Sequence, residues 1–93
     1  MDDGSFQWDD IKAAANYAKH GVKFEAARVA FEDPFALEWD NSGGSRGEPR
    51  FARLGMVEGR VLFVAYTVRG DVIRIISARA AEPWERRKYH EQH

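Results

Sequence analysis

Apolar residues near the start of the chain recur at the spacing of an α-helix. They follow the pattern i, i+3, i+4, i+7 and comprise Ile11, Ala14, Ala15 and Ala18. Asp9 or Asp10 can cap the start of this helix, and Gly21 in the stretch KHG can supply the left-handed residue that ends it. A second helix is predicted over residues 24–31, and it ends before Pro34 because proline disfavours helical backbone at the preceding residue. The two helices should form a hairpin.

From residue 35 onward the hydrophobic pattern has a period of two, which is typical of β-strands. Four strands are predicted, at residues 35–40, 50–57, 60–68 and 71–80, and residues 6–8 can add a short strand or a staple. The polar loop NSGGSRGEP separates the first two strands, and the short connections EG and RG favour hairpins between the others.

Pro83 suits the first turn of a closing helix. The expected fold is therefore α+β, with two N-terminal helices, an antiparallel meander sheet of about four strands and a C-terminal helix. The front helices should pack on one sheet face, and the last helix on the other face or across an edge.

The predicted strand at residues 71–80 carries two arginines inside an apolar run. Strict alternation places Arg74 and Arg79 on opposite faces, each near one end of the strand. The strand at residues 60–68 is apolar on both faces, so we expect it to be central and covered on both sides. An arginine beside it can pack its aliphatic stem on the sheet and keep its guanidinium at the rim, where it would face a phosphate.

Length and composition narrow the class of protein. Ninety-three residues suffice for one domain, residues 1–93, with a single core. The absence of cysteine excludes disulfides, thiolate nucleophiles and thiolate metal sites. The longest apolar stretch, residues 61–65, is too short to cross a bilayer, and the acidic start MDDGS is unlike a signal peptide. We therefore expect a soluble, cytoplasmic protein without a membrane partner.

The charge of the chain is uneven although its net value is −1. Up to residue 45 there are four basic residues against nine acidic ones, whereas from Arg46 onward there are ten against six. Nine of these ten are arginine, which can bind a phosphate through two parallel hydrogen bonds, so the second half is the candidate for an anionic partner. The simpler alternative, a solvated charged face, is the commoner outcome of such a pattern.

The absence of known catalytic and metal-binding motifs leaves a metal-free mechanism as the remaining option for an enzyme. The chain has no P-loop, nucleophile elbow or dinucleotide fingerprint, and His20, His90 and His93 are not spaced as metal ligands. We therefore expect no cofactor and no metal. RNA suits a metal-free mechanism, because its 2′-hydroxyl is a built-in nucleophile and the protein need only move protons and stabilise charge on the phosphate.

Several short stretches together resemble one known family. FQWDDIKAAANYAKHGVKFEAARVAFEDP is followed by EPRFARLG and then by VAYTVRGDVIRIISARAA, an order that resembles the BrnT toxins of bacterial type II toxin–antitoxin systems. The resemblance covers nearly the whole chain, although Lys23 stands where a serine or threonine cap is commoner.

That resemblance implies a RelE/ParE-like fold and an endoribonuclease activity that inhibits translation. It also implies neutralisation by a small BrnA-like antitoxin with a ribbon-helix-helix DNA-binding part. The expected complex is a heterotetramer that contacts operator DNA only through the antitoxin.

Candidate proton-transfer and phosphate-binding groups come from the first helix and from the loop before residue 50. His20 can move a proton near neutral pH, although its position in KHG suits a helix-end cap equally well. Glu48 can act as a base or simply pair with Arg50. Lys12 and Lys19, seven residues apart on one helical face, can bind RNA phosphates, although a solvated face is the more frequent outcome.

Arginines are the candidates for stabilising charge on the phosphate. Those assigned to catalysis are Arg50, Arg69 and Arg79, and Arg74 is assigned to RNA binding. They recur on three neighbouring predicted strands, which structural arginines rarely do, although we expect one of them to be structural. Arg69 and Arg79 should affect the cleavage rate more than folding.

Aromatic residues complete the set of candidates. Tyr66 and Tyr89 can stack on bases. Trp84 and Tyr89 lie five residues apart on a short helix, so at least one of them should be in the core, together with Trp8 and Phe31. The alternative function is a non-catalytic module whose arginine face binds nucleic acid or an acidic protein. An arginine variant that keeps RNA affinity but loses cleavage would favour the enzyme.

Overall fold

The first helix, α1, spans Asp10–His20 in the computed structural model, which describes residues 1–43 and 47–92. The carboxylate of Asp9 accepts hydrogen bonds from the first turn, and Gly21 closes the helix in the left-handed conformation at φ 69°. Both predicted caps are therefore confirmed. The predicted apolar stripe is wrong as the packing face, because Ile11 is 82% exposed and the buried residue of the helix is Asn16.

The second helical segment is shorter and tighter than predicted. Helix α2 spans Phe24–Ala27, and the chain then tightens into a 3-10 helix over Arg28–Glu32. Lys23 occupies the N-cap position without a side-chain cap hydrogen bond. The segment therefore gains its stability from burial, since Phe24 and Ala30 are both in the core.

Five strands form one mixed sheet in the order β1-β5-β4-β3-β2. Their bounds are Phe6–Gln7 for β1, Leu37–Asp40 for β2, Phe51–Val57 for β3, Arg60–Arg69 for β4 and Val72–Ala80 for β5. Strands β2 to β5 form the predicted antiparallel meander. The prediction of a purely antiparallel sheet of four strands is nevertheless wrong, because β1 pairs in parallel with β5 through Phe6 and Ile73.

Helix α3 spans Pro83–Glu91, and the predicted start at a proline is confirmed. Within residues 1–43 and 47–92, no helix is long and apolar enough to span a membrane. Part of the predicted polar loop, residues 44–46, and the last residue, His93, lie outside the described residues.

Two separate hydrophobic clusters cover the two faces of the sheet. On the first face, the front helical segments pack through Trp8, Val22, Phe24, Ala27, Ala30, Val57, Leu62, Val64, Ile75 and Ala78. On the second face, α3 packs through Leu54, Val61, Ala81 and Tyr89. The expected placement on opposite faces is confirmed for α2 and α3, whereas α1 lies along the outer edge of β5 rather than on the first face. The central position of β4 is also confirmed, because its residues are buried on both faces.

A β-bulge in β5 corrects the predicted orientation of its arginines. Ser77 pairs with Ala65 of β4, but the next pair along the strands joins Ile75 to Tyr66, so one residue of β5 has no opposite partner. The extra residue reverses the alternation of β5 beyond that point. Arg74 and Arg79 therefore lie on the same face of the sheet, the second, rather than on opposite faces.

Gly55 allows the 3-10 helix to approach the sheet closely. A Cβ atom at this buried position of β3 would lie 2.7 Å from the carbonyl oxygen of Ala30 and 2.8 Å from its Cβ atom. Those distances are too short for any real side chain, so glycine is required by the contact between the backbones. The close approach holds the first-face cluster together.

Candidate nucleic-acid interface

Helix α1 lies along the outer edge of β5, where a further strand would otherwise pair. The side-chain amide of Asn16 donates to the Ala78 carbonyl at 2.8 Å and accepts from the Ala78 N–H at 3.1 Å. It also donates to the carbonyl of Val22 at 3.0 Å. A buried amide thus satisfies the backbone edge of β5 as a strand residue would, which explains why a polar residue occupies the packing face of α1.

An open surface cavity of about 250 Å³ lies between α1 and β5. Lys12, Lys19 and His20 line it from the helix, and Ile76 and Ser77 line it from the strand. The two lysines and the histidine are exposed. Two ammonium groups, an imidazole and a hydroxyl therefore converge on a space large enough for a phosphodiester group. Three residues that were predicted separately are brought together here.

Arg74 adds a further positive charge on β5, between the cavity and the start of the strand. Its Nη1 donates to Oε1 of Gln7 in the neighbouring strand β1 at 2.8 Å. The backbone N–H of Lys12 is the main cause that holds the pKa of Asp9 below its usual value, and the charges of Lys12 and Arg74 add to the effect. Arg74 thus lies close enough to the start of α1 to act on its capping carboxylate.

A second group of charges lies at the end of β4, around Glu48. Arg69 binds the carboxylate of Glu48 through two hydrogen bonds, from Nε at 2.7 Å and from Nη2 at 3.1 Å. This bond is the main cause that lowers the pKa of Glu48, and the charges of Arg69, Arg74 and Arg50 lower it further. The ion pair therefore forms with Arg69, whereas Arg50 acts through its charge.

The charges of three guanidinium groups act on this one carboxylate, and that of Arg69 is bonded to it. The side chains of Arg69 and Glu48 remain 49% and 39% exposed, so a ligand can reach them. Arg74 acts on both groups of charges and connects them into one surface. We call this surface the cationic edge; it comprises Lys12, Lys19, His20, Arg50, Arg69 and Arg74.

Arg79 lies outside the cationic edge, in contact with α3. Its guanidinium carbon sits 4.2 Å from the centroid of the Phe63 ring, and Nη1 and Nη2 donate to the two carboxylate oxygens of Glu85 at 2.7 and 3.1 Å. Glu85 is 1% exposed and Arg79 is 30% exposed. Glu85 also accepts from the N–H of Glu82 at 2.8 Å and so completes a capping box. Arg79 therefore attaches α3 to the sheet.

The two tyrosines assigned to base stacking are both buried. Tyr66 packs between Phe31 and Phe51 on the first face and donates its hydroxyl to Glu38. Tyr89 belongs to the second-face cluster and donates its hydroxyl to Asp33 at 2.5 Å. Neither ring is on the cationic edge. For the pair on α3, Tyr89 is the core residue and Trp84 the exposed one.

Four residues that shape this region were not predicted, namely Gln7, Asn16, Ser77 and Glu85. The spacing of Glu85 from Glu82 is that of a capping box, and this is a usable signal. Ser77 has no such signal, because its side of the sheet depends on the bulge. Asn16 could be recognised only by knowing that α1 packs on a strand edge.

Comparison with protein families gives a match over most of the chain. The model of the family described as ribonuclease toxin, BrnT, of type II toxin–antitoxin system matches residues 8–85. No curated protein sequence matches the chain. Within residues 1–43 and 47–92, no group of three or more histidine, aspartate or glutamate side chains is arranged to hold a metal ion.

Proposed function

Because this chain belongs to the BrnT family of ribonuclease toxins of type II toxin–antitoxin systems, we propose that it is a metal-independent endoribonuclease that cleaves RNA and thereby inhibits translation. The observation that carries this proposal is the cationic edge. Lys12, Lys19 and His20 line one open cavity, and the charges of Arg50, Arg69 and Arg74 act together on Glu48. A polyanion is the ligand that such a surface attracts.

We assign RNA binding to the basic side chains whose surroundings leave space for a ligand. Lys12 and Lys19 hold phosphates at the cavity, and Arg74 presents the donors that its bond to Gln7 does not use. An extended RNA strand can follow α1 along β5, because the lysines line the cavity between these two elements and Arg74 lies on β5. Tyr66 and Tyr89 have no part in this binding, since both rings are buried.

Cleavage follows from the chemistry of RNA itself. The 2′-oxygen attacks the adjacent phosphorus, and the bond from phosphorus to the 5′-oxygen breaks, leaving a 2′,3′-cyclic phosphate and a 5′-hydroxyl. A base removes the proton from the 2′-hydroxyl, and an acid donates one to the leaving oxygen. His20 is suited to proton transfer because its imidazole lines the cavity.

Glu48 and the arginines have different parts in the same step. The pKa of Glu48 is held low, mainly by its bond from Arg69, so the carboxylate accepts protons weakly and serves chiefly to orient Arg69. Arg50 and Arg69 stabilise the negative charge that grows on the phosphate. Arg79 acts indirectly, by fixing α3 and the end of β5.

The toxin acts in the cytoplasm, as one domain, and is held inactive by an antitoxin. We propose that this antitoxin is a BrnA-like protein with a ribbon-helix-helix part, and that the complex is a heterotetramer which represses its own operon. Inducing the gene with and without the neighbouring small reading frame tests this: growth should stop only without it.

The enzymatic proposal is tested with purified protein, a chelator and a defined RNA. Cleavage should leave a 2′,3′-cyclic phosphate, and an RNA with 2′-deoxy residues should bind without being cut. Lys12→Ala and Lys19→Ala should weaken binding and reduce the slope of log affinity against log salt by about 0.7 for each lost contact. Arg60→Ala, at the exposed first residue of β4, is the matched control.

Two outcomes separate the enzyme from the alternative. RNA binding without cleavage by the wild-type protein would favour a non-catalytic arginine-rich module. Cleavage that Lys12→Ala, Lys19→Ala and Arg60→Ala all leave unchanged would mean that the site lies elsewhere on the molecule.

A further inference from the structure

The edge of the sheet farthest from the cavity beside α1 carries a surface of different chemistry. An apolar groove of about 300 Å³ lies between the edge strand β2 and helix α3. It is lined by Leu37, Glu38, Trp39, Leu54, Trp84 and Lys88. Trp84 is 51% exposed although it is one of the largest apolar side chains of the protein. An exposed tryptophan beside an apolar groove is characteristic of a binding surface.

The backbone of β2 is open along the same groove. Among the described residues, β2 pairs with β3 only. The N–H of Asn41 donates to the carbonyl of Arg50 at 2.8 Å, which shows the phase of this antiparallel ladder. Because the pairing alternates, the N–H and C=O groups of Glu38 and Asp40 point away from β3. An open strand edge of this kind can accept another extended segment.

We propose that an extended segment of the antitoxin adds to β2 as a sixth strand and places apolar side chains in the groove against Trp84. This inference rests on the proposed function, which supplies the partner. Side chains of an added strand alternate between the two faces. Those on the second face meet the apolar groove. Those on the first face meet the exposed carboxylate of Asp40 and that of Glu38, which is half exposed and already binds Arg53 and Tyr66. The segment should therefore alternate apolar residues with lysine or arginine.

Charge argues against the two other possible occupants. A second copy of this chain, paired in the two-fold register centred on Trp39, would bring Glu38 opposite Asp40 of the other copy, and like charges directly opposite destabilise a sheet. RNA would bring its phosphates toward the same two carboxylates. A segment with positive charges at these positions avoids both problems.

The groove at β2 lies away from the cavity beside α1. Strands β3 and β4 separate β2 from β5, so a segment bound at β2 does not itself occupy the cavity beside α1. Variants in the groove should therefore lower affinity for the antitoxin while the free protein keeps its activity. They would yield a toxin that its antitoxin no longer restrains.

The test measures binding of the antitoxin encoded by the neighbouring reading frame to purified variants that keep the wild-type melting temperature. Trp84→Ala should weaken binding by about thirtyfold or more. Ile11→Ala, which also removes an exposed apolar side chain, should leave it unchanged. Asp40→Lys should weaken binding by about tenfold. Asp71→Lys, the same change in the turn between β4 and β5, should have no effect.

Hydrogen exchange tests the added strand without any substitution. The amides of Glu38 and Asp40 should exchange more slowly in the complex than in the free protein. Equal affinity of Trp84→Ala and Ile11→Ala, no protection of β2, or no binding by the wild type would each overturn the proposal. A dimer of the protein alone that Trp84→Ala dissociates would also overturn it, since a second copy would then be the occupant.

RNA cleavage by the same preparations separates this inference from the proposed function. If none of them cleaves RNA but binding and protection change as expected, the enzymatic proposal fails and the docking site stands. If they cleave RNA and the antitoxin binds every variant equally, the docking site alone is wrong.

Discussion

Arginine has opposite environments at the two ends of the second sheet face. Where α3 covers the sheet, Arg79 lies over the Phe63 ring and binds the buried carboxylate of Glu85. Where the sheet is open, Arg74 donates to a neutral partner, Gln7, and Arg69 forms a half-exposed ion pair. The difference arises from what covers each guanidinium rather than from its strand. We therefore expect substitutions at the covered end to reduce stability and substitutions at the open end to reduce activity.

Arg79→Ala should have the largest effect on folding. Removing one partner of a buried ion pair leaves the other charged and desolvated, which costs about 3–5 kcal/mol of the free energy of unfolding. Glu85 is that remaining partner, and it is nearly inaccessible to solvent. We therefore expect Arg79→Ala to affect folding more than rate, contrary to the expectation from the sequence. Urea unfolding of the purified variant measures the loss.

Two further variants sharpen the comparison. Arg69→Ala removes an arginine from the exposed pair and should leave the unfolding midpoint unchanged while reducing cleavage. In the double variant Arg79→Met, Glu85→Gln no buried charge remains, so most of the lost stability should return. Equal midpoints for Arg69→Ala and Arg79→Ala would show that the two ends do not differ.

His20→Ala tests the open end. Loss of a proton-transfer group should reduce the cleavage rate by about a hundredfold, equivalent to about 3 kcal/mol of the activation free energy. The melting temperature should not change, because the helix end is closed by the N–H of Gly21, which donates to the Tyr17 carbonyl at 2.8 Å. Normal cleavage with a lower melting temperature would instead mean that His20 only stabilises the end of α1.

Local patterns predicted most of the elements because they depend on neighbours in sequence. The caps of α1, the proline at the start of α3 and the meander from β2 to β5 all follow from residues within one element or one hairpin. A short strand at residues 6–8 was also among the predictions, but its parallel pairing was not, since the partner of β1 lies more than sixty residues away along the chain. Pairing over such a distance leaves no local signal.

The candidate site was predicted only in part, because some of its residues are grouped by their spacing in sequence and others only by the fold. Lys12, Lys19 and His20 share a helix, and their grouping could be inferred from spacing. The face on which Arg74 and Arg79 lie could not, because a single bulge in β5 reverses it. The burial of Glu85 also depends on where α3 packs, so the structural role of Arg79 is visible only in the fold.

Gly55→Ala tests the covered first face, with a smaller expected effect. The new methyl group would lie 2.7 Å from the carbonyl oxygen of Ala30, and the 3-10 helix would have to move. Overpacking of this kind costs about 2 kcal/mol. The double variant Gly55→Ala, Ala30→Gly removes the clash with the Ala30 methyl group but not the clash with the oxygen, so it should recover only part of the loss. Wild-type stability of Gly55→Ala would show that the segment is loosely packed.

Tyr89→Phe should have the smallest effect, and its size should depend on pH. Burial raises the pKa of Asp33, but hydrogen bonds from Tyr89 and from the N–H groups of Met56 and Phe35 outweigh this and hold the pKa below its usual value. A carboxyl group with a depressed pKa in the folded state stabilises the fold above its unfolded pKa, and that contribution is lost as the pH falls through the folded value.

The hydroxyl of Tyr89 therefore matters most while Asp33 is charged. Tyr89→Phe should cost about 1.5 kcal/mol of the free energy of unfolding at about pH 7, and clearly less at a pH below the depressed pKa of Asp33. Tyr17→Phe is the matched control, because Tyr17 is half exposed and the same hydroxyl is lost there. Burial and the bond to Asp33 also raise the pKa of Tyr89 to about 12, so the absorbance titration of Tyr89→Phe should lose the component at that pH. An equal loss of stability at both pH values would mean that the bond does not depend on the charge of Asp33.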